Sequence, residues 1–325
     1  MIRYTLLIFG ALLLVVSGAL GWARREEARS SYLLAFTINR GRQFDLYLMS
    51  PQGGPARRLT ALPGTDEYYP AWSPDGRWIA FAGVDIQDLF INLWRVRPSG
   101  QDLRALTAIR EGFRTKPAWS PGGGEIFYSS NEGGWHEVWR MDSNGRRARP
   151  FFDEPSYRGW PVWSWGGDWL YFIELDSYTL ARMRPDGSGR ERLNDFPHPE
   201  AYQGLAVGPD ESLWYSYRQA EGYLQIYHWR PGESQTWALP NPSQASQVWP
   251  APSPDGRHLY YIQADRLMRF DLAAQTAQDI SPGGAYKYNS PAPSPIIALA
   301  WGGWLNLSAG LGLLMLGLWR VYVQS

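Results

Sequence analysis

Apolar and polar positions fall into three regimes along the chain. Tyr4 to Trp22 is a run of 19 residues without a charge, and Ile296 to Trp319 is a second run of 24. As helices they would be about 28 and 36 Å long, enough to cross the hydrocarbon core of a bilayer. Trp22, Trp301, Trp304 and Trp319 stand near their ends, where indole rings favour the interface. Between the runs the pattern changes. Short apolar stretches such as Trp78–Phe81, Ile126–Tyr128, Trp169–Ile173 and Leu213–Tyr217 alternate with turn residues such as Asp75-Gly76 and Asp255-Gly256. That texture predicts many short antiparallel strands.

The strands recur. Pro70-Ala71-Trp72-Ser73-Pro74 aligns with Pro117–Pro121, Pro161–Trp165, Leu205–Pro209, Pro250–Pro254 and Pro291–Pro295. The central residues are 72, 119, 163, 207, 252 and 293, at spacings of 47, 44, 44, 45 and 41. Each copy leads into a turn, an apolar strand, a loop, an alternating strand such as Leu93–Val96, a second turn and a closing strand such as Arg104–Thr107. Four strands per unit at this period predict propeller blades, which bury both faces only by packing around a ring.

PAWSPDGRWIAFAG followed by NLWRVRPSGQDLRALT resembles the WD40-like (PD40) repeat of the TolB-type six-bladed propellers. The same repeat occurs in the propeller domains of prolyl-oligopeptidase-type peptidases. The resemblance covers residues 31–295 and departs most at Val207-Gly208-Pro209, which replaces Trp-Ser-Pro. It implies an all-β, six-bladed propeller; fold alone does not set activity.

The sixth copy stops after one strand, at Pro295. The missing strands are Tyr32–Phe36, Phe44–Leu48 and Arg57–Thr60, so the two ends of the chain should share one blade and close the ring. The expected organisation is an N-terminal membrane helix at 1–23, a propeller at 24–295 and a C-terminal membrane helix at 296–325. A cleaved signal peptide is the other reading of the first run: Met1-Ile2-Arg3 is a possible n-region and Ser17-Gly18-Ala19 a possible cleavage site. If both helices are kept they leave the same propeller face, and Gly10, Gly18, Gly303 and Gly312 permit close contact.

Charge narrows the function. With 31 basic and 31 acidic residues there is no basic excess for nucleic acid. There is no cysteine, and His136, His198, His228 and His258 include no pair at metal-ligand spacing. No metal or cofactor is expected. The chain has no G-x-S-x-G elbow, no H-E-x-x-H and no P-loop, so no catalytic residue is assigned. His198 lies in a connection between blades, and Asp142-Ser143-Asn144-Gly145 lacks the downstream carboxylates of a calcium loop.

Candidate binding residues come from position. The segments leading into each first strand should ring the channel mouth: Tyr68 and Tyr69, Arg114 and Lys116, Arg158 and Trp160, Tyr202, Trp249, and Tyr288. Tyr, Trp and Arg dominate protein interfaces. The expected function is a membrane-anchored interaction or scaffold module, as a subunit of a membrane complex, with a protein partner on the membrane-distal face. A propeller enzyme or carbohydrate binder at the channel mouth is the alternative. Arg24, Arg25, Arg29 and Lys287 on the propeller side, against Arg3 and Arg320, favour a cytoplasmic propeller by charge; the resemblance implies an extracytoplasmic one, which is the expectation kept here.

Overall fold

The computed structural model describes residues 32–40, 43–154, 157–177, 179–193, 202–283 and 287–293. Both terminal apolar runs, Ser17–Ala19 and His198 lie outside the described residues. Among the described residues no helix is long and apolar enough to cross a membrane.

Six four-stranded antiparallel sheets are arranged as blades. Their first strands are Thr65–Trp72, Arg114–Trp119, Arg158–Trp163, Tyr202–Val207 and Gln247–Pro252 for blades 1 to 5. The sixth blade is split. Its first strand, Lys287–Pro293, comes from the C-terminal side, and its other three are Leu34–Asn39, Phe44–Met49 and Arg57–Arg58. Leu34 pairs with Pro293 and Ala35 with Ala292, as the interrupted repeat predicts.

Second strands are buried on both faces, as in Ile79–Asp85 and Leu170–Glu174. Each blade packs between two neighbours, so alternation gives way to continuous apolar runs. Six apolar clusters among the described residues correspond to the six gaps between blades. Ala35, Leu46, Ile79 and Phe81 fill the gap from the split blade to blade 1, and Phe36, Tyr260 and Ile262 fill the gap on its other side. Outermost strands are short and exposed. Arg104–Ala105 covers half of the expected Arg104–Thr107, because an outer edge has no further partner and is blunted by charge.

The repeat's polar letters have structural work. Ser73 Oγ accepts from Trp78 N–H at 2.9 Å and donates to Asp75 at 2.6 Å. Ser253 does the same with His258 and Asp255. Gly76 and Gly256 take φ of 64° and 67°, which a turn of this kind requires. Blade 4 places Glu211 there at φ 61° and keeps the turn despite the divergent Val-Gly-Pro sequence. Asp142 accepts from the N–H groups of Asn144 and Arg146, so Asp142–Gly145 is a hairpin turn.

Candidate functional site in the central channel

Every first strand has the same irregularity. Its register shifts near the middle, between Tyr68 and Ala71, Thr115 and Ala118, Gly159 and Val162, Gln203 and Leu205, and Val248 and Ala251; in the split blade the shift falls opposite Ala35–Thr37. At each shift one residue has positive φ: Tyr69 (53°), Lys116 (51°), Trp160 (59°), Gly204 (74°), Trp249 (58°) and Ser290 (46°). Five of the six are not glycine, and each such residue costs on the order of 1 kcal/mol or more. A bulge re-aims the side chain it carries. Repeated around the ring, it turns these six positions toward the axis.

Four of them converge. Lys116 Nζ lies 3.8 Å from the centre of a Trp160 ring, 5.4 Å from Trp249 and 5.6 Å from Tyr69. Trp249 and Tyr69 meet edge to face at 5.2 Å. Since blades 2 and 5 are opposite, Lys116 and Trp249 close the channel across its width. Gly204 and Ser290 complete the ring with little bulk. A cavity of about 360 Å³ begins at this throat, lined by Ala71, Val162, Trp163, Trp165, Leu205, Ala251, Pro252 and Pro291 among others. All lie at or after the bulge in their strands, so the cavity extends toward the face bearing the turns between first and second strands.

Lys116 is the one charged residue of that lining, and burial pushes its amine down to about 7. Beside it, His136 is held neutral: burial first, and the Lys116 charge second, bring it to about 4. Its Nε2 is buried and has no hydrogen-bond partner among the described residues. Gly159 lets it sit there, since a Cβ at that position would come 2.8 Å from His136 Nε2.

The other residues singled out by sequence are placed elsewhere. Arg114 is buried and ion-paired with Glu132. Arg158 is buried with its guanidinium 4.2 Å over the Phe152 ring. Tyr288 is buried and donates to Pro282 O at 2.5 Å, and Tyr68 packs on Phe44 at 5.1 Å. The side chain of Tyr202 lies outside the described residues. Among the described residues no group of three or more His, Asp or Glu is placed to hold a metal ion.

One feature was missed from sequence. On the face opposite the first-to-second turns, the loops of blades 1 to 3 expose Ile86 (46%), Leu89 (70%), Trp135 (46%) and Tyr157 (45%). Trp135 and Tyr157 stack edge to face at 5.1 Å. The available signal was large apolar residues inside connecting loops that have no strand to pack against.

No family model matches the chain. The Tol-Pal system protein TolB of Nitratidesulfovibrio vulgaris is 37% identical over 62 residues, which is 19% of this chain and 14% of that protein. The match therefore spans well under two thirds of that relative's length. TolB from Acinetobacter baumannii superposes with a TM-score of 0.67 at 17% identity, over 82% of this chain and 67% of that one. A putative TolB from Agrobacterium tumefaciens gives a TM-score of 0.57 at 19% identity, over 82% and 99%. The fold is that of the TolB-type six-bladed propellers.

Proposed function

We propose that this TolB-like propeller is a protein-interaction module of a membrane-associated assembly, tethered by the apolar runs at its ends and held outside the cytoplasm. The observation that carries this is the exposed sector formed by Ile86, Leu89, Trp135 and Tyr157. Exposed aromatic side chains in mutual contact, as Trp135 and Tyr157 are, serve as anchors in protein-binding surfaces. The chain joins the propeller at Tyr32 and leaves it at Pro293, where the other blades have their first-to-second turn. The exposed sector lies on the opposite face of the propeller from those two chain ends. The TolB resemblance supports the same reading, since the relative matched by sequence is described as part of a system of proteins.

Capture of partners from solubilised membranes tests it. The double variant Trp135→Ala, Tyr157→Ala should retain the fold and reduce partner capture at least tenfold. Equal capture by both forms, or selective glycan binding by the intact protein, would remove the reading. Protease protection in sealed cells tests the tether and its side: Arg77, in an exposed turn, should be cut only from outside.

A further inference from the structure

Of the 31 basic residues in the chain, 29 are arginine; Lys116 and Lys287 are the only lysines. Lys287 is an ordinary surface lysine, 69% exposed and 3.9 Å from Asp265. Lys116 is placed at the one point where three aromatic side chains meet the channel axis. Among the described residues it has no carboxylate partner, and the cavity it lines contains no acid. Arginine would bring a permanent charge and a broad, forked donor set. Lysine brings a compact charge that can be given up when the site is empty. The ring faces favour a cation, yet an ammonium held away from water still needs an anion.

The structure assigns the central cavity as a binding site for a small monocarboxylic acid with an apolar body, whose carboxylate is the counter-ion of Lys116. The tryptophans, prolines and aliphatic side chains of the lining take the apolar part. A cavity of about 360 Å³ is within the range of small-molecule sites, roughly 300–1,000 Å³. The lowered basicity of the empty site fits this assignment, because burial without a partner disfavours the charge that a bound carboxylate would restore. The titratable and charged groups nearby are few: Tyr69 from the neighbouring blade, His136 beside it, and Arg114, which is already paired with Glu132. Trp160 and Trp249 do not titrate. The site is independent of the exposed Trp135–Tyr157 sector, so either assignment can fail alone.

The test uses the scarcity of lysine. Full-length protein labelled with 13C at lysine Cε gives two side-chain signals, and Lys287→Met leaves only that of Lys116 without touching the channel. Phenylacetate, 2-phenylethanol and 2-phenylethylamine are then added separately across a pH titration. Phenylacetate is expected to raise the Lys116 midpoint by at least one pH unit. By linkage, the ammonium form then binds the acid at least tenfold more tightly than the amine. The Lys287 signal of the unsubstituted protein should not move. A Lys116 midpoint that phenylacetate leaves in place, or that 2-phenylethanol raises equally, would overturn the assignment.

Discussion

Two of the six gaps between blades can be compared almost atom for atom. One lies between the split blade and blade 1, the other between blades 4 and 5. In each, the residue two places before the bulge reaches back to the third strand of the preceding blade. Across the seam, Glu67 Oε2 accepts from Leu46 N–H at 2.8 Å and from the Thr60 hydroxyl. Between the unbroken blades, Gln247 Oε1 accepts from Ile226 N–H at 3.3 Å and from Gln225 Nε2 at 3.0 Å, while its own amide donates to Pro240 O at 3.1 Å. Both side chains are fully buried. At these two gaps the position carries an acid in one and an amide in the other; Arg114, Arg158 and Tyr288 occupy it in three other blades. The break in the chain has not changed this stitch at the gap between the split blade and blade 1.

The two stitches differ in charge. Burial, opposed only in part by its hydrogen bonds, pushes Glu67 up from an ordinary 4.5 to about 7. The folded state therefore holds the proton more firmly than the unfolded chain. Stability from this group is fully present below about 4.5 and is lost as pH rises through about 7. Gln247 carries no such dependence.

Three substitution sets break or sharpen the comparison. The largest effect is expected from Glu67→Ala and Gln247→Ala: the first takes the closer acceptor from Leu46 N–H, leaving the Thr60 hydroxyl at 3.2 Å, and the second takes the side-chain acceptor from Ile226 N–H. Each should cost about 2–4 kcal/mol in urea unfolding, counting the lost packing as well as the unmade bond. A large loss at one site and none at the other would refute their equivalence. Next is Glu67→Gln. It should raise stability at pH 8 by on the order of 2 kcal/mol and flatten the dependence between pH 4.5 and 7. The smallest effect concerns the tryptophans. Trp72 donates its indole N–H to Ala292 O across the seam at 3.0 Å, and Trp119 donates to Ala71 O at 3.0 Å between blades 1 and 2. Trp72→Phe and Trp119→Phe should each cost about 1 kcal/mol, and by similar amounts.

The fold was largely legible because its determinants are local and repeated. Ser73, Asp75 and Gly76 build one turn, and their counterparts Ser253, Asp255 and Gly256 build another. The seam followed from the same logic, since a repeat with one strand at Pro291 needs three more, and Tyr32–Thr60 supplies them. The site was legible only in part. Position in the repeat singled out Tyr69, Lys116, Trp160 and Trp249, but it could not separate them from Arg114, Arg158 and Tyr288 a residue or two away. What separates them is a left-handed backbone at one residue per blade. Several of these residues are aromatic or charged, and nothing in their side chains announces that conformation. The approach of Lys116 to Trp249 joins residues in opposite blades and leaves no local trace. The exposed loop residues Ile86, Leu89, Trp135 and Tyr157 belong to no repeat position, so periodicity passed over them.

Both the throat and the stitches require a ring closed by residues far apart in the chain. Amide hydrogen exchange across Leu34–Asn39 measures that closure directly. In the full-length protein these amides should be as well protected as those of Ile79–Asp85, the corresponding strand of blade 1, and a chain stopped before Lys287 should lose the protection. Exchange across Leu34–Asn39 at the rate of an open loop in the full-length protein, or protection that survives the truncation, would contradict a blade shared by the two ends.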